Sequence, residues 1–212
     1  MASQRLQTIA SMCPAHGSLV DIGSDHGLLP RMLLKQGFAS RLYATELSQD
    51  SFQNLTSQCA ELPIHLYQAD GLSELPGDIK TIVITGMGGQ LIHRILDEGQ
   101  DHLDHVQTII LGPQRDQGMV REWLMHHHWK IVDEQIVMEG EKAYPLMKAE
   151  KGQMVLDPIQ LAYGPINIQK RDADFLTWLR LEEVIIKKAL QFHQNKEQQA
   201  RLEWIEHYVK NN

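Results

Sequence analysis

The densest chemistry in the chain lies in Leu19-Val20-Asp21-Ile22-Gly23-Ser24-Asp25-His26-Gly27, where an apolar run enters a glycine-containing turn that opens a helix. Such a turn seats a nucleotide-like ligand beyond the carboxyl end of a strand. A dinucleotide requires glycine wherever its pyrophosphate meets the backbone, in the pattern GxGxxG. Here the second glycine position holds Asp25 and the third holds Leu28. A carboxylate about 4 Å from a phosphate costs on the order of 4 kcal/mol at an effective dielectric near 20, so a dinucleotide is disfavoured. S-adenosylmethionine has no phosphate and carries a sulfonium and an ammonium, which makes the same carboxylates favourable neighbours. Asp21, Gly23, Asp25 and Gly27 are therefore candidate cofactor residues.

A second acid, Glu46, ends the next apolar run about 20 residues past the glycine turn, where a carboxylate can accept both ribose hydroxyl protons. Leu47 follows it as a further cofactor contact. A third acid, Asp70, precedes Gly71 at the end of the third run. Taken singly, Asp21 also reads as a cap, Glu46 as a solvated strand end and Asp70 as an Asx-turn residue. Their common position at three successive strand ends makes a constellation. The fourth run, Thr81 to Thr85, enters Gly86-Met87-Gly88-Gly89. Three glycines in four residues let backbone approach a ligand closely, as a junction of cofactor and substrate requires. Gly86, Met87 and Gly88 join the cofactor set, and Gly89 faces the substrate.

These residues need a frame that brings strand ends to one edge. Apolar runs at Ser18 to Ile22, Arg41 to Thr45, Ile64 to Tyr67, Thr81 to Thr85 and Thr108 to Leu111 alternate with helical candidates near Leu28 to Gln36, Gln49 to Ala60, Gly89 to Leu96 and Gln117 to His127. A short amphipathic helix with Leu6, Ile9 and Ala10 on one face precedes them. The alternation implies α/β architecture, a Rossmann-like parallel sheet with helices on both faces. Lys130 to Val137 and Tyr144 to Ala149, around Glu139-Gly140-Glu141-Lys142, read as an antiparallel pair closing the sheet. From about Gly164-Pro165 the pattern is helix alone: Phe175, Leu179, Ile186, Ala189 and Phe192, then Leu202, Ile205 and Val209, predict a helical hairpin. The expected division is a domain over residues 1–155 and a helical extension over 156–212.

Composition bounds the rest. With 212 residues, 42% of them apolar, the chain builds one proper core and a small appendage. No run is long enough to span a bilayer and the start lacks a cleavage signal, so the expectation is a cytoplasmic protein with no membrane partner. Cys13 and Cys59 have no metal-ligand spacing and read as reduced packing residues. His126-His127-His128 points in different directions along a helix, so no metal site is expected. Trp123 and Trp129 read as core anchors. Net charge is −7, and it is uneven: residues 1–155 hold 12 Lys+Arg against 19 Asp+Glu, whereas 156–212 hold 8 of each. A polyanionic partner would have to meet a local patch. Lys170, Arg171, Arg180, Lys187 and Lys188 either track phosphates or form a solvated helix face.

The runs VDIGSDHGLLP, ADGL, TIVITGMGGQLIHRIL and REWLMHHHWKIVDE resemble, in order and spacing, the bacterial tRNA (adenine-22-N1)-methyltransferase family, TrmK, over most of residues 4–150. The opening Arg5-Leu6-Gln7-Thr8-Ile9-Ala10 is similar to that family's first helix. The resemblance implies a Rossmann-like, S-adenosylmethionine-dependent methyltransferase domain with a C-terminal helical hairpin, acting on N1 of a tRNA adenine. Where the family has an Ala-Tyr pair after GSDH, this chain has Gly27-Leu28, without an aromatic to stack on the target base. The family's QPN loop is Gly112-Pro113-Gln114 here, its amide one carbon longer, and the hairpin reads as shorter than usual. Nothing in the sequence fixes oligomeric state.

Adenine N1 carries an in-plane lone pair, so the main catalytic task is alignment rather than deprotonation. The Gly86 to Gly89 backbone and the Gly112-Pro113-Gln114 loop are the expected walls. Asp25, His26 and Gln114 are the candidate catalytic residues, to orient the base or accept a proton from its amino group. Arg5, Gly89, Pro113, Lys187 and Lys188 are the candidate tRNA contacts. Two alternatives stay open: methylation of another RNA adenosine or a small molecule, and RNA binding without turnover.

Overall fold

The computed structural model describes residues 3–38, 41–73 and 75–210. Its frame is a seven-stranded sheet in the order β3-β2-β1-β4-β5-β7-β6. Strands β1 (Leu19–Ile22), β2 (Leu42–Glu46), β3 (Ile64–Gln68), β4 (Thr81–Met87) and β5 (Thr108–Pro113) are parallel. Parallel strands covered on both faces read as continuous apolar runs, and β1, most of β2 and β5 are buried along their length. The interleaved helices are α1 (Gln4–Met12), α2 (Leu28–Lys35), α3 (Gln49–Cys59), α4 (Gly89–Glu98) and α5 (Gln117–His126). Ser3 and Ser48 cap α1 and α3, accepting from Leu6 and Ser51 N–H groups that the helix leaves unpaired.

Chain order reverses between β1 and β4, which opens a crevice at the carboxyl edge of the sheet. One apolar core lies on each face, built around Val20, Ile82 and Ile109 on one side and Leu19, Val83 and Ile110 on the other. Trp123 and Trp129 are both buried in the first.

The hairpin of β6 (Trp129–Glu139) and β7 (Lys142–Lys151) pairs antiparallel to β5 through β7. Its strands run to Glu139 and Lys142, leaving the two-residue turn Gly140-Glu141, with Gly140 at φ +64°. Pairing with β5 stops at Leu111–Met147, so the tip of the hairpin overhangs the carboxyl edge.

Helix resumes earlier than the Gly164-Pro165 punctuation suggests. Asp157 forms a capping box with Gln160 at the start of α6 (Pro158–Tyr163), and α7 (Pro165–Lys170) follows. Then α8 (Ala173–Leu190) and α9 (Lys196–Lys210) form the expected hairpin. Phe192 is not part of its apolar stripe: α8 ends at Leu190, and Phe192, in the turn beyond, is 73% exposed. Phe175, Leu179, Ile186, Leu202 and Ile205 build a third core that includes Ile136 of β6. Residues 152–157 cross between β7 and α6, with Val155 91% exposed.

Two fully buried charges join the third core to the sheet. Arg121 of α5 donates to Glu134 of β6 at 2.8 Å and to the Leu161 and Ala162 carbonyls at 2.8 and 3.1 Å. The Ile166 and Asn167 N–H groups donate to the other Glu134 oxygen at 2.9 and 3.4 Å. A buried pair persists when further hydrogen bonds support it; here both Glu134 oxygens and Arg121 Nε and Nη1 are engaged, while Arg121 Nη2 is buried without a partner among the described residues.

Candidate active site

At the carboxyl edge, the loop after β1 folds over the end of β2. Gly23 and Ser24 donate backbone N–H to the Thr45 carbonyl at 3.1 and 3.0 Å. The next N–H, of Asp25, donates to Glu46 Oε1 at 2.5 Å. Three residues of this short loop, Gly23, Asp25 and Gly27, have positive φ. For Asp25 that is the left-handed region where a non-glycine residue carries strain. Gly27 is constrained further, since a Cβ there would meet Cys59 Sγ at 2.4 Å. Buried Cys59 packs in the core on this face of the sheet, and both cysteines are free thiols.

Beneath the loop, Asp21 is 6% exposed and accepts from Ser24 Oγ at 2.6 Å. Burial pushes its carboxyl up to about 7; the Ser24 bond opposes the rise and the charge of Glu46 adds to it. Glu46 is half-buried, and its backbone carbonyl receives the Ala69 N–H at 3.0 Å, which ties the end of β2 to the turn carrying Asp70 and Gly71. Gly71 needs its positive φ of +58°, and a Cβ would press on Ile95 at 3.1 Å. Asp70 is exposed, with Arg94 of α4 at 3.5 Å. Exposed Leu28 and Leu47 give the same edge an apolar rim.

The opposite side of the crevice consists of two interlocked loops. The pairing of β4 with β5 shifts register between Thr85 and Met87, which makes Gly86, at φ +80°, a bulge residue with open space at its Cβ position. Met87 swings its thioether toward β1, its Cε 2.2 Å from where a Gly23 Cβ would stand. The Met87 carbonyl accepts from Gln114 N–H, and Gly89 N–H donates to the Arg115 carbonyl, both at 2.9 Å. A side chain at Gly89 would strike the Arg115 and Asp116 carbonyls at 2.7 and 2.6 Å. Glycine there is what permits the interlock.

The crevice thus brings together Asp21, Gly23, Asp25, His26, Gly27, Glu46, Leu47, Asp70, Gly71, Gly86, Met87, Gly88, Gly89, Pro113 and Gln114. Asp25 and His26 are exposed at its mouth with Oδ2 and Nε2 3.5 Å apart, and Gln114 is exposed while Pro113 is buried. The remaining tRNA candidates stand elsewhere. Arg5 lies on the overhanging hairpin, its backbone N–H donating to Glu139 at 3.0 Å and its guanidinium 4.5 Å above the Tyr144 ring. Lys187 bridges Glu183 and Glu206 at 2.5 and 2.8 Å, holding α8 to α9, whereas Lys188 is exposed. Of the other tail cations, Lys170 pairs with Asp133 and Arg171 covers Tyr208. The histidine triplet ends α5: His127 stacks on Trp123 with centroids 4.0 Å apart and His128 turns left-handed at φ 59°. Sequence reasoning missed Arg94 and Arg115 in the crevice. Their pairing with Asp70 and Gly88 spans elements, and no local spacing announces it.

Chemically, acids at three adjacent strand ends favour a cationic ligand with hydroxyls to donate. The paired glycine loops offer a planar acceptor backbone walls and room rather than side-chain bases. A family profile described as a methyltransferase domain matches residues 2–147. The tRNA (adenine(22)-N(1))-methyltransferase of Bacillus subtilis is 34% identical over 185 residues, covering 82% of this chain and 78% of that protein. Among solved structures, Streptococcus pneumoniae Sp1610 in complex with S-adenosyl-L-methionine superposes with TM-score 0.91 at 30% identity, covering 99% of this chain and 100% of that one. The B. subtilis m1A22 tRNA methyltransferase TrmK superposes with TM-score 0.80 at 28% identity, covering 100% and 98%. Both structures are matched almost end to end, the C-terminal hairpin included.

Proposed function

Because the chain belongs to the bacterial tRNA (adenine-22-N1)-methyltransferase family, we propose that it methylates N1 of an adenine in tRNA, at position 22, using S-adenosylmethionine. The observation that carries this reading is the pairing of a carboxylate-lined strand edge with two interlocked glycine loops in one crevice. The residues fit the cofactor: Glu46 stands where a ribose diol is received, Asp21 and Asp25 supply negative charge for ammonium and sulfonium, and Leu28 and Leu47 offer apolar cover for adenine. Asp70 and Gly71 flank the same edge, with Gly23, Gly27, Gly86, Met87 and Gly88 giving close backbone approach. When bound, the cofactor supplies an electrophilic methyl group on a sulfonium.

The chain's own part is alignment. Gly86 to Gly89 and Pro113-Gln114 wall the acceptor, and in-line placement of a lone pair that is already nucleophilic is worth several orders of magnitude in rate. Asp25 and His26, facing each other at the mouth, orient the amino group or take its proton after transfer. Residues 1–155 form the catalytic domain and 156–212 an extension that assists tRNA binding, with Lys188 better placed for phosphate than Lys187. No described helix is long and apolar enough to cross a membrane.

Purified protein incubated with unmodified tRNA and labelled cofactor tests the reading, with digested nucleosides resolved by mass. The expected product is 1-methyladenosine, lost when adenine 22 of the tRNA is replaced by guanine. Enzymes that methylate an exocyclic amine commonly present side-chain acceptors after the fourth strand, and Gly86-Met87-Gly88-Gly89 offers none. Exclusive N6-methyladenosine, or methylated cytosine or guanine, would refute the assignment.

A further inference from the structure

Among residues that the sequence motifs leave unassigned, Arg115 has the most pointed placement. It follows Gln114 in the loop between β5 and α5, and its side chain is 80% exposed. It is not free to wander from the crevice, because its backbone is clamped on both sides. Gln114 N–H donates to the Met87 carbonyl, and the Arg115 carbonyl accepts from Gly89 N–H. The left-handed Asp116, at φ 57°, then turns the chain into α5. The guanidinium stem lies across Gly88: a Cβ there would meet Arg115 Nε at 3.1 Å and Cγ and Nη2 at 3.7 Å. Gly88 itself has φ −72°, which any residue adopts, so the missing side chain serves room for Arg115 rather than backbone geometry.

Charge sharpens the point. The loops after β1, β2, β4 and β5 contain Asp25 and Asp116 but no lysine or arginine except Arg115, and Asp21, Glu46 and Asp70 lie at the adjoining strand ends. An RNA backbone approaching this rim meets repulsion unless a cation receives it. Among the described residues, Arg94 at the same edge is drawn to Asp70, and the charged neighbour of Arg115 is Asp116 at 3.9 Å. An exposed pair of that length contributes little, which leaves the planar fork available for a bidentate contact with phosphate.

We propose that Arg115 is the anchor for the phosphodiester flanking the target adenosine, holding the nucleotide at the mouth of the crevice while its base enters between the two glycine loops. The inference rests on the proposed tRNA methylation and adds to it a positioning residue. The same fork would suit one other anion, the cofactor's own carboxylate, so the experiment must separate the two sources.

Wild type, Arg115→Ala and Arg115→Lys are compared in full-length form on unmodified tRNA, as kcat/KM over a series of KCl concentrations, with calorimetry of S-adenosylmethionine binding alongside. The expected result is a loss of roughly tenfold in kcat/KM for Arg115→Ala, carried mainly by KM, as for a lost charged hydrogen bond. The slope of log kcat/KM against log salt should fall by about one, Arg115→Lys should recover that slope, and cofactor affinity should stay at the wild-type value. A general loss of packing would not change the salt slope selectively. An unchanged slope in Arg115→Ala, or weakened cofactor binding, overturns the inference while wild-type methylation of tRNA stands. A wild type without activity on tRNA removes the proposed function and this inference together.

Discussion

Replacing Asp21 with Asn should stabilise the free protein at neutral and alkaline pH while weakening its cofactor affinity. Asp21 is buried behind the loop after β1, with Ser24 Oγ as its side-chain donor among the described residues, and its carboxyl is pushed up to about 7. Unfolded aspartate titrates near 3.9, so the folded protein binds an extra proton between about pH 4 and 7. The sign follows: the raised value makes stability highest below the unfolded value and erodes it as pH rises through 7. At 1.36 kcal/mol per pH unit the loss approaches about 4 kcal/mol by pH 8. Asn has the same shape and no charge to desolvate. Denaturant unfolding of both proteins at intervals from pH 4 to 8 should therefore show curves that converge at the acid end and separate toward the alkaline end. For a chain of this size the separation corresponds to a melting difference on the order of 10 °C. The difference between the two proteins cancels titrations they share. A gap that does not vary with pH would refute the reasoning, as would a wild type whose stability rises between pH 5 and 8 in parallel with Asp21→Asn. Calorimetry completes the test: the variant should bind S-adenosylmethionine more weakly, because the charge that is costly in the free protein faces a cation in the complex.

Two further perturbations probe the frame and the site. Glu46→Ala removes the acceptor for the Asp25 N–H together with the ribose contact proposed for it, and cofactor affinity measured by calorimetry should drop at least about tenfold; unchanged binding rules the ribose role out. Gly164→Ala places a Cβ 2.3 Å from Glu134 Oε1 at a backbone φ of +90°. It should lower unfolding stability by about 3 kcal/mol or more, through strain and a disturbed buried ion pair. A change under about 1 kcal/mol would show that the Arg121–Glu134 hub accommodates movement.

The parallel strands were legible because burial on both faces turns each into an apolar run, and the three acids stood out because each interrupts or ends one. Boundaries slipped by a residue or two where pairing, not composition, decides them: β4 continues through Gly86-Met87 because β5 runs alongside to Pro113. The helical tail was legible as amphipathic but not as attached, since the residues of α7 and α8 that cover β6 lie more than 30 positions away from their partners in β6. Arg121 shows where the limit falls. It sits on α5 between Val120 and Trp123, on the face that packs inward, yet an arginine in a helix reads as surface until the Leu161 and Ala162 carbonyls and Glu134 are in place around it. Asp21 presents the same anomaly, a charge inside an apolar run, with the opposite content. Arg121 meets a carboxylate and two carbonyls through Nε and Nη1, and its charge is matched. Asp21 meets one hydroxyl and a like charge, and its carboxyl rises to about 7. A buried charge whose partners match it holds two elements together; one whose partners fall short is held for a ligand that brings the missing charge. Sequence marks both residues with the same pattern, and the partners contributed by other strands and helices tell them apart.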